Sequence, residues 1–218
     1  PTRAMTILGG DSFRDEYSLL FDGTNEYINC PAITFTKQMT FSAWVKVEGD
    51  AGTSCLITSR VDDNNRVIIV INGDHVDARF GGVVDAVDSY LIERKQGTNW
   101  VDDVWNHVVV VCDGLTEDSG MDIYVNGILD NAADSNSYNT TDDNNTQIGI
   151  RYKSSSYSAE FEGNISEIAV YNTLLTASQV RTLYNGREPY NHKEGIVSAN
   201  LINWWRMGDG TLDSIPTV

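Results

Sequence analysis

A chain of 218 residues with 41% hydrophobic and 21% charged residues fits one large globular domain with an ordinary core. Its formal net charge of −16 repels nucleic-acid backbones and anionic membranes, so neither a nucleic-acid partner nor membrane insertion is expected. No apolar stretch approaches the ~18 residues of a membrane span, and no signal peptide is visible. The chain opens on Pro1, as expected of a processed chain or a piece of a longer one. Cys30, Cys55 and Cys112 show no C-x-x-C spacing, which argues against a zinc site or a disulfide framework and leaves a single Cys30–Cys55 bridge open.

Taken in chain order, the elements are mostly strands. "MTFSAWVKV" alternates, with Met39, Phe41, Ala43, Val45 and Val47 on one face and Thr40, Ser42, Trp44 and Lys46 on the other. "CLITSRV" and "RVIIVIN" flank the tetrapeptide DDNN at 62–65, which predicts a hairpin with a four-residue polar connection. "HVVVVC" is apolar on both faces and reads as a central strand, with Cys112 a buried thiol. "MDIYVNGIL" alternates and then turns at Asn126-Gly127, two residues that tolerate positive φ. A second DDNN at 142–145 leads into "TQIGIRY", and "GNISEIAVYN" supplies a further strand. In "TASQVRTLYNG", Thr176 and Gln179 have capping-box spacing, Val180, Leu183 and Tyr184 form an apolar face, and Asn185-Gly186 closes a helix. The fold class is therefore all-β: an antiparallel two-sheet sandwich or jelly roll with one short late helix.

Four stretches, "SLLFDGTNEYINCP", "MTFSAWVKV", "WNHVVVVCDG…MDIYVNGIL" and "FEGNISEIAVYNTLLTASQV", together resemble the LamG-like jelly rolls, the laminin-G and pentraxin branch of concanavalin A-like sandwiches. The resemblance implies a sandwich over 18–186, with 1–17 an N-terminal extension and 187–218 a C-terminal extension. In that last stretch "NLINWWRMGDG" looks like the opening strand of such modules, so it either begins a following module or pairs as a final strand of this one. Its wording is also similar to segments of tailed-phage virion proteins.

The resemblance further implies a structural calcium ion joining Asp22, in the early "FDG" turn, to Glu167 in the late strand, with Ser166 standing where the family carries aspartate. The two DDNN copies lack EF-hand spacing and read first as Asx turns. Asp62, Asn64 and Asn65 are ligand contacts only if folding brings the two loops to one end. Tyr90, Trp100 and Tyr157 are the candidate rings for a glycan platform, each equally placed to be buried at a sandwich edge.

No catalytic residue is predicted. Related glucanases carry Glu-x-Asp-x-Glu on one strand, whereas Asp85, Asp88 and Glu93 have the wrong spacing, and His107 in "WNHVVVV" has no evident partner. The expectation is a non-enzymatic module on a virion surface or cell exterior. Its partners are a surface glycan or a neighbouring protein, with oligomerisation open.

Overall fold

The computed structural model describes residues 17–48, 52–62, 65–73, 75–81, 91–96, 100–101, 103–113, 120–130, 146–153, 156–195 and 197–208. Its strands are β1 (Leu19–Asp22), β2 (Ile28–Cys30), β3 (Gln38–Val47), β4 (Thr53–Asp62), β5 (Asn65–Asn72), β6 (His75–Gly81), β7 (Leu91–Gln96) and β8 (Asn106–Asp113). There follow β9 (Met121–Val125), β10 (Ile128–Leu129), β11 (Thr146–Ile148), β12 (Arg151–Lys153), β13 (Ser156–Ser158), β14 (Glu162–Tyr171), helix α1 (Ala177–Tyr184) and β15 (Leu201–Trp205). One antiparallel sheet runs β1-β14-β3-β8-β9-β10 with β15 also on β14, and the other runs β2-β11-β4-β5-β6-β7. The all-β sandwich with one short helix is what the alternation predicts.

The inward rows of both sheets meet in one core. Met39, Phe41, Ala43, Val45 and Val47 of β3 and Val108 and Val110 of β8 pack against Ile57, Ile69, Ala78 and Phe80. The seven-stranded sheet is covered on its outer face too. There Val109, Val111, Ala169 and Tyr171 pack beneath Val180 and Leu183 of α1 and Val197 and Trp204 of the C-terminal segment. This two-sided burial is why β8 reads as an unbroken apolar run.

Local chemistry sets the ends. Thr176 Oγ1 accepts from Gln179 N at 3.3 Å while Gln179 Oε1 accepts from Thr176 N at 2.8 Å, the reciprocal capping box. Asn185 closes α1 at φ 48°, and Asn126 and Gly127 turn the β9–β10 hairpin at φ 54° and 75°. The β4–β5 hairpin is tighter than expected, because Asp62 pairs with Asn65 and strand pairing continues into the DDNN itself. "TQIGIRY" is broken into β11 and β12 at Gly149, whose φ is 88° and where a Cβ would stand 2.5 Å from the Phe21 ring. All three cysteines are free thiols, and burial pushes Cys30 up to about 12.

One edge of β14 is shared end to end. β1 pairs with its first half, Leu19 to Ile165 through Asp22 to Glu162, and β15 with its second, Trp205 to Ile168 through Leu201 to Tyr171. Between the halves sits Glu167, a bulge residue at φ 52°, where the β3 register shifts between Ser166 and Ala169. The bulge lets Ile165, Ile168 and Val170 all face the core despite their uneven spacing.

The Glu167 side chain is 0% exposed and fully engaged. Its carboxylate accepts from Trp204 Nε1 at 2.6 Å and from Arg206 Nε at 3.2 Å. His192 Nε2 lies 3.9 Å away, and Tyr171 OH shares a hydrogen bond with His192 Nδ1. The two residues of the expected calcium pair, Asp22 and Glu167, lie apart in the fold. Asp22 stands opposite Glu162, so Glu167 is five residues further along β14, roughly 16 Å at ~3.3 Å per residue. Asp22 instead closes its own turn, its Oδ1 accepting from Thr24 N at 2.8 Å and Thr24 Oγ1 at 2.7 Å, and these bonds lower its pKa. Among the described residues no group of three or more His, Cys, Asp or Glu side chains is arranged to hold a metal ion.

Two predictions arise from this packing. Glu167→Ala leaves Arg206 buried without its carboxylate and should cost about 3–5 kcal/mol in urea denaturation; a cost under 1 kcal/mol would contradict the pairing. His107 and His192 are both held neutral by burial, their pKa values lowered to about 3. The unfolded chain takes up these protons near pH 6.5, so folding releases them and stability falls as pH drops below that value. The fall should be about 1.4 kcal/mol per pH unit per histidine, and His107→Gln should remove about half of the slope between pH 6 and 4.5.

Candidate functional site

Strand alternation gives the six-stranded sheet an outer face of mixed chemistry. Following the ladders across it, Asn29 stands opposite Gln147, Gln147 opposite Thr58, Thr58 opposite Ile68 and Ile68 opposite Arg79. A second row runs Cys55, Val70, Asp77. Arg79 Nη2 bonds Asp77 Oδ2 at 3.3 Å between the rows. Amides, a hydroxyl, a guanidinium and a carboxylate therefore share a surface whose reverse side is the apolar core.

Most of this face is closed. Thr58, Ile68, Val70 and Asp77 are buried, and Ala159 packs on Cys55, Ile68 and Val70, held by Cys55 N donating to Ala159 O at 2.8 Å. It opens at the β2 edge. Ile28 and Cys30 pack against the inter-sheet core, which turns Tyr27 and Asn29 to the outside, where both are exposed. Tyr27 is 36% exposed. Gln147, next in from the edge, is 1% exposed. Its Nε2 donates to Asn29 Oδ1 at 3.1 Å, and its Oε1 is buried with no hydrogen-bond partner. Leaving that acceptor unpaired costs about 1–3 kcal/mol, which a complementary donor recovers. The edge thus presents an exposed aromatic ring, an exposed amide and a buried amide with an unmet acceptor, all without formal charge.

The residues expected from sequence fall elsewhere. Asp62 and Asn65 pair at the tip of β4–β5, while Asn64, Tyr90 and the second DDNN lie outside the described residues. Arg66 pairs with Gly81 and Gly81 with Leu91, and Ser59 Oγ shares a 2.6 Å hydrogen bond with Thr146 Oγ1. The strand ends flanking both DDNN copies and Tyr90 are thus at one end of the six-stranded sheet. Trp100 is not with them: it packs against the inter-sheet core, beside Val101, whose carbonyl accepts from Asn106 Nδ2 at 2.7 Å. Tyr157 pairs with Tyr152 in the β12–β13 hairpin, which joins the sheet where Gly149 N donates to Leu56 O, six residues along β4 from Asp62. Tyr27, Asn29 and Gln147 carried a signal in the alternation of "EYINC" and "TQI" that short strands leave faint.

His107 is a packing residue. Its Nε2 is 2.9 Å from Ser42 Oγ, its ring lies 5.0 Å from Trp44 and 6.1 Å from Tyr184, and its Nδ1 has no hydrogen-bond partner. Among the described residues no carboxylate orients the imidazole, and Ser42 and His107 are both buried.

Comparison with known proteins adds the lineage. No curated protein matches the chain. Among solved structures it resembles a protein of Bacteroides ovatus ATCC 8483 to which carbohydrate binding has been ascribed, at 19% identity and a TM-score of 0.61. That likeness covers 90% of this chain and 53% of the other, so the chain spans about half the length of the Bacteroides protein. It also resembles the CBM40 module of Ruminococcus gnavus IT-sialidase bound to alpha2,3 sialyllactose, at 17% identity and a TM-score of 0.50, covering 67% of this chain and 82% of that one. Residues 22–181 match the family model of the concanavalin A-like lectin/glucanases superfamily, and the chain belongs to that superfamily.

Proposed function

We propose that this protein is a non-catalytic glycan-binding module displayed on a virion or cell exterior, and that it meets sugar at the β2 edge of the six-stranded sheet. The observation that carries the reading is the exposed Tyr27 ring beside the Asn29–Gln147 amide pair. A ring face accepts the apolar side of a pyranose, while amides satisfy its hydroxyls, and that pairing of surfaces is the usual chemistry of a sugar site. The buried, carboxylate-free setting of His107 supports a role without catalysis. The kinship with a sialyllactose-bound module and with a protein of ascribed carbohydrate binding points the same way.

A second reading, a structural subunit that contacts neighbouring protein, draws on a different observation. Leu19 and Leu20 on β1 and Ile128 and Leu129 on β10 are exposed, and these strands flank the seven-stranded sheet. Apolar edge strands invite pairing with another chain.

A glycan array followed by titration separates the two. Specific, saturable binding that Tyr27→Ala weakens at least tenfold, with Tm unchanged, is the expected result. Absence of binding at millimolar sugar, together with self-association in light scattering that Leu20→Lys abolishes, would favour the structural subunit.

A further inference from the structure

The β2 edge has little to hold it within its own sheet. β2 is three residues long and pairs with β11, which is equally short and pairs with β4 through Gln147 and Ile148. So short a ladder does not fix an edge by itself. The chain that enters β14 supplies the rest. Ala159 O accepts from Cys55 N at 2.8 Å, and the residue packs on the outer face of the six-stranded sheet. Two residues later Phe161 lies in the inter-sheet core, 1% exposed, so the chain has passed around the end of β11.

Phe161 then meets both strands of the edge. Its N–H donates to Gly149 O at 2.8 Å, just past β11, and its carbonyl accepts from Gly23 N at 3.1 Å, in the turn that leads to Tyr27. Its ring stands edge-on to that of Phe21, with centroids 6.0 Å apart and planes at 71°. The Phe21 ring in turn fills the side of Gly149 where a Cβ would come within 2.5 Å. Gly149 and Tyr27 are the next residues outward from the Ile148–Ile28 pair.

We infer that Phe161 is the positioning residue of the sugar edge, holding β2 and β11 in the arrangement that presents Tyr27, and that it does so from the mouth of a strand in the opposite sheet. A site fixed before its ligand arrives loses less freedom on binding, so loosening this clasp weakens binding without removing a sugar contact. The binding half of the inference rests on the glycan-binding reading above. The holding half does not.

The test compares Phe161→Leu with Phe41→Leu in the full-length protein. Phe41 is a 3% exposed ring of the same core, on β3, so a merely structural role lowers Tm in both variants. Amide hydrogen exchange reads the edge separately from the core. Phe161→Leu should speed exchange at residues 28–30 and 146–148 at least about tenfold, and Phe41→Leu less than about twofold. Titrated with the oligosaccharide that gives the strongest array signal, Phe161→Leu should bind at least about fivefold more weakly, and Phe41→Leu within about twofold of the unaltered protein. Phe21→Leu removes the other ring of the pair and should reproduce both effects, which covers the case in which Phe161→Leu fails to fold. Equal edge exchange in the Phe161 and Phe41 variants would overturn the inference. Faster edge exchange with unchanged affinity would overturn the positioning role and leave the glycan reading standing. No array signal from the unaltered protein would remove the glycan reading, and the sugar role of Phe161 with it.

Discussion

Two-sided burial is the constraint on which the rest of this structure depends. The seven-stranded sheet has the inter-sheet core on one face and α1 with the C-terminal segment on the other. The six-stranded sheet has the same core on its inner face, and the middle of its outer face is closed around Cys55, Ile68 and Val70. A sandwich covered in this way cannot offer a broad open sheet to a ligand. What it can offer among the described residues is an edge, and the edge that combines an aromatic ring with amides is β2.

The second cover requires the late chain to be fastened down, and Glu167 does that. A left-handed bulge residue in mid-strand is costly for anything other than glycine, and such strain persists only where the surroundings determine it. Here the bulge turns a carboxylate towards Trp204 and Arg206, so β15 is held by a charged anchor as well as by its ladder to β14. His192 and Tyr171 complete the buried layer. Glu167, the residue that the family resemblance suggested as a metal ligand, has its carboxylate engaged by the Arg206 guanidinium and the Trp204 indole.

Much of the fold was legible because long strands repeat their pattern. The alternation of β3, the unbroken apolar run of β8, Asn126-Gly127 and the capping box of α1 each encode their conformation within a few residues. The site was less legible for two physical reasons. β2 and β11 are three residues each, too short for periodicity to stand out, and the candidate-site residues Asn29 and Gln147 meet only through pairing across more than a hundred positions of sequence. Nor does composition distinguish a ring on an edge from one in a core: Trp100 and Tyr27 both sit in polar surroundings in sequence, yet one packs inward and the other faces out. The bulge at Glu167 was present as a break in spacing between Ile165 and Ile168, but a carboxylate at such a break reads equally as ligand or as anchor until its partners from β15 are in place.

The central claim is one of location, and mapping a bound sugar on the backbone tests it most directly. With the protein's amides assigned and a glycan that binds in the array added to saturation, the account predicts that the largest shifts fall on residues 27–30 and 146–148. Shifts centred instead on the β4–β5 tip or on α1, with the β2 edge unmoved, would contradict it.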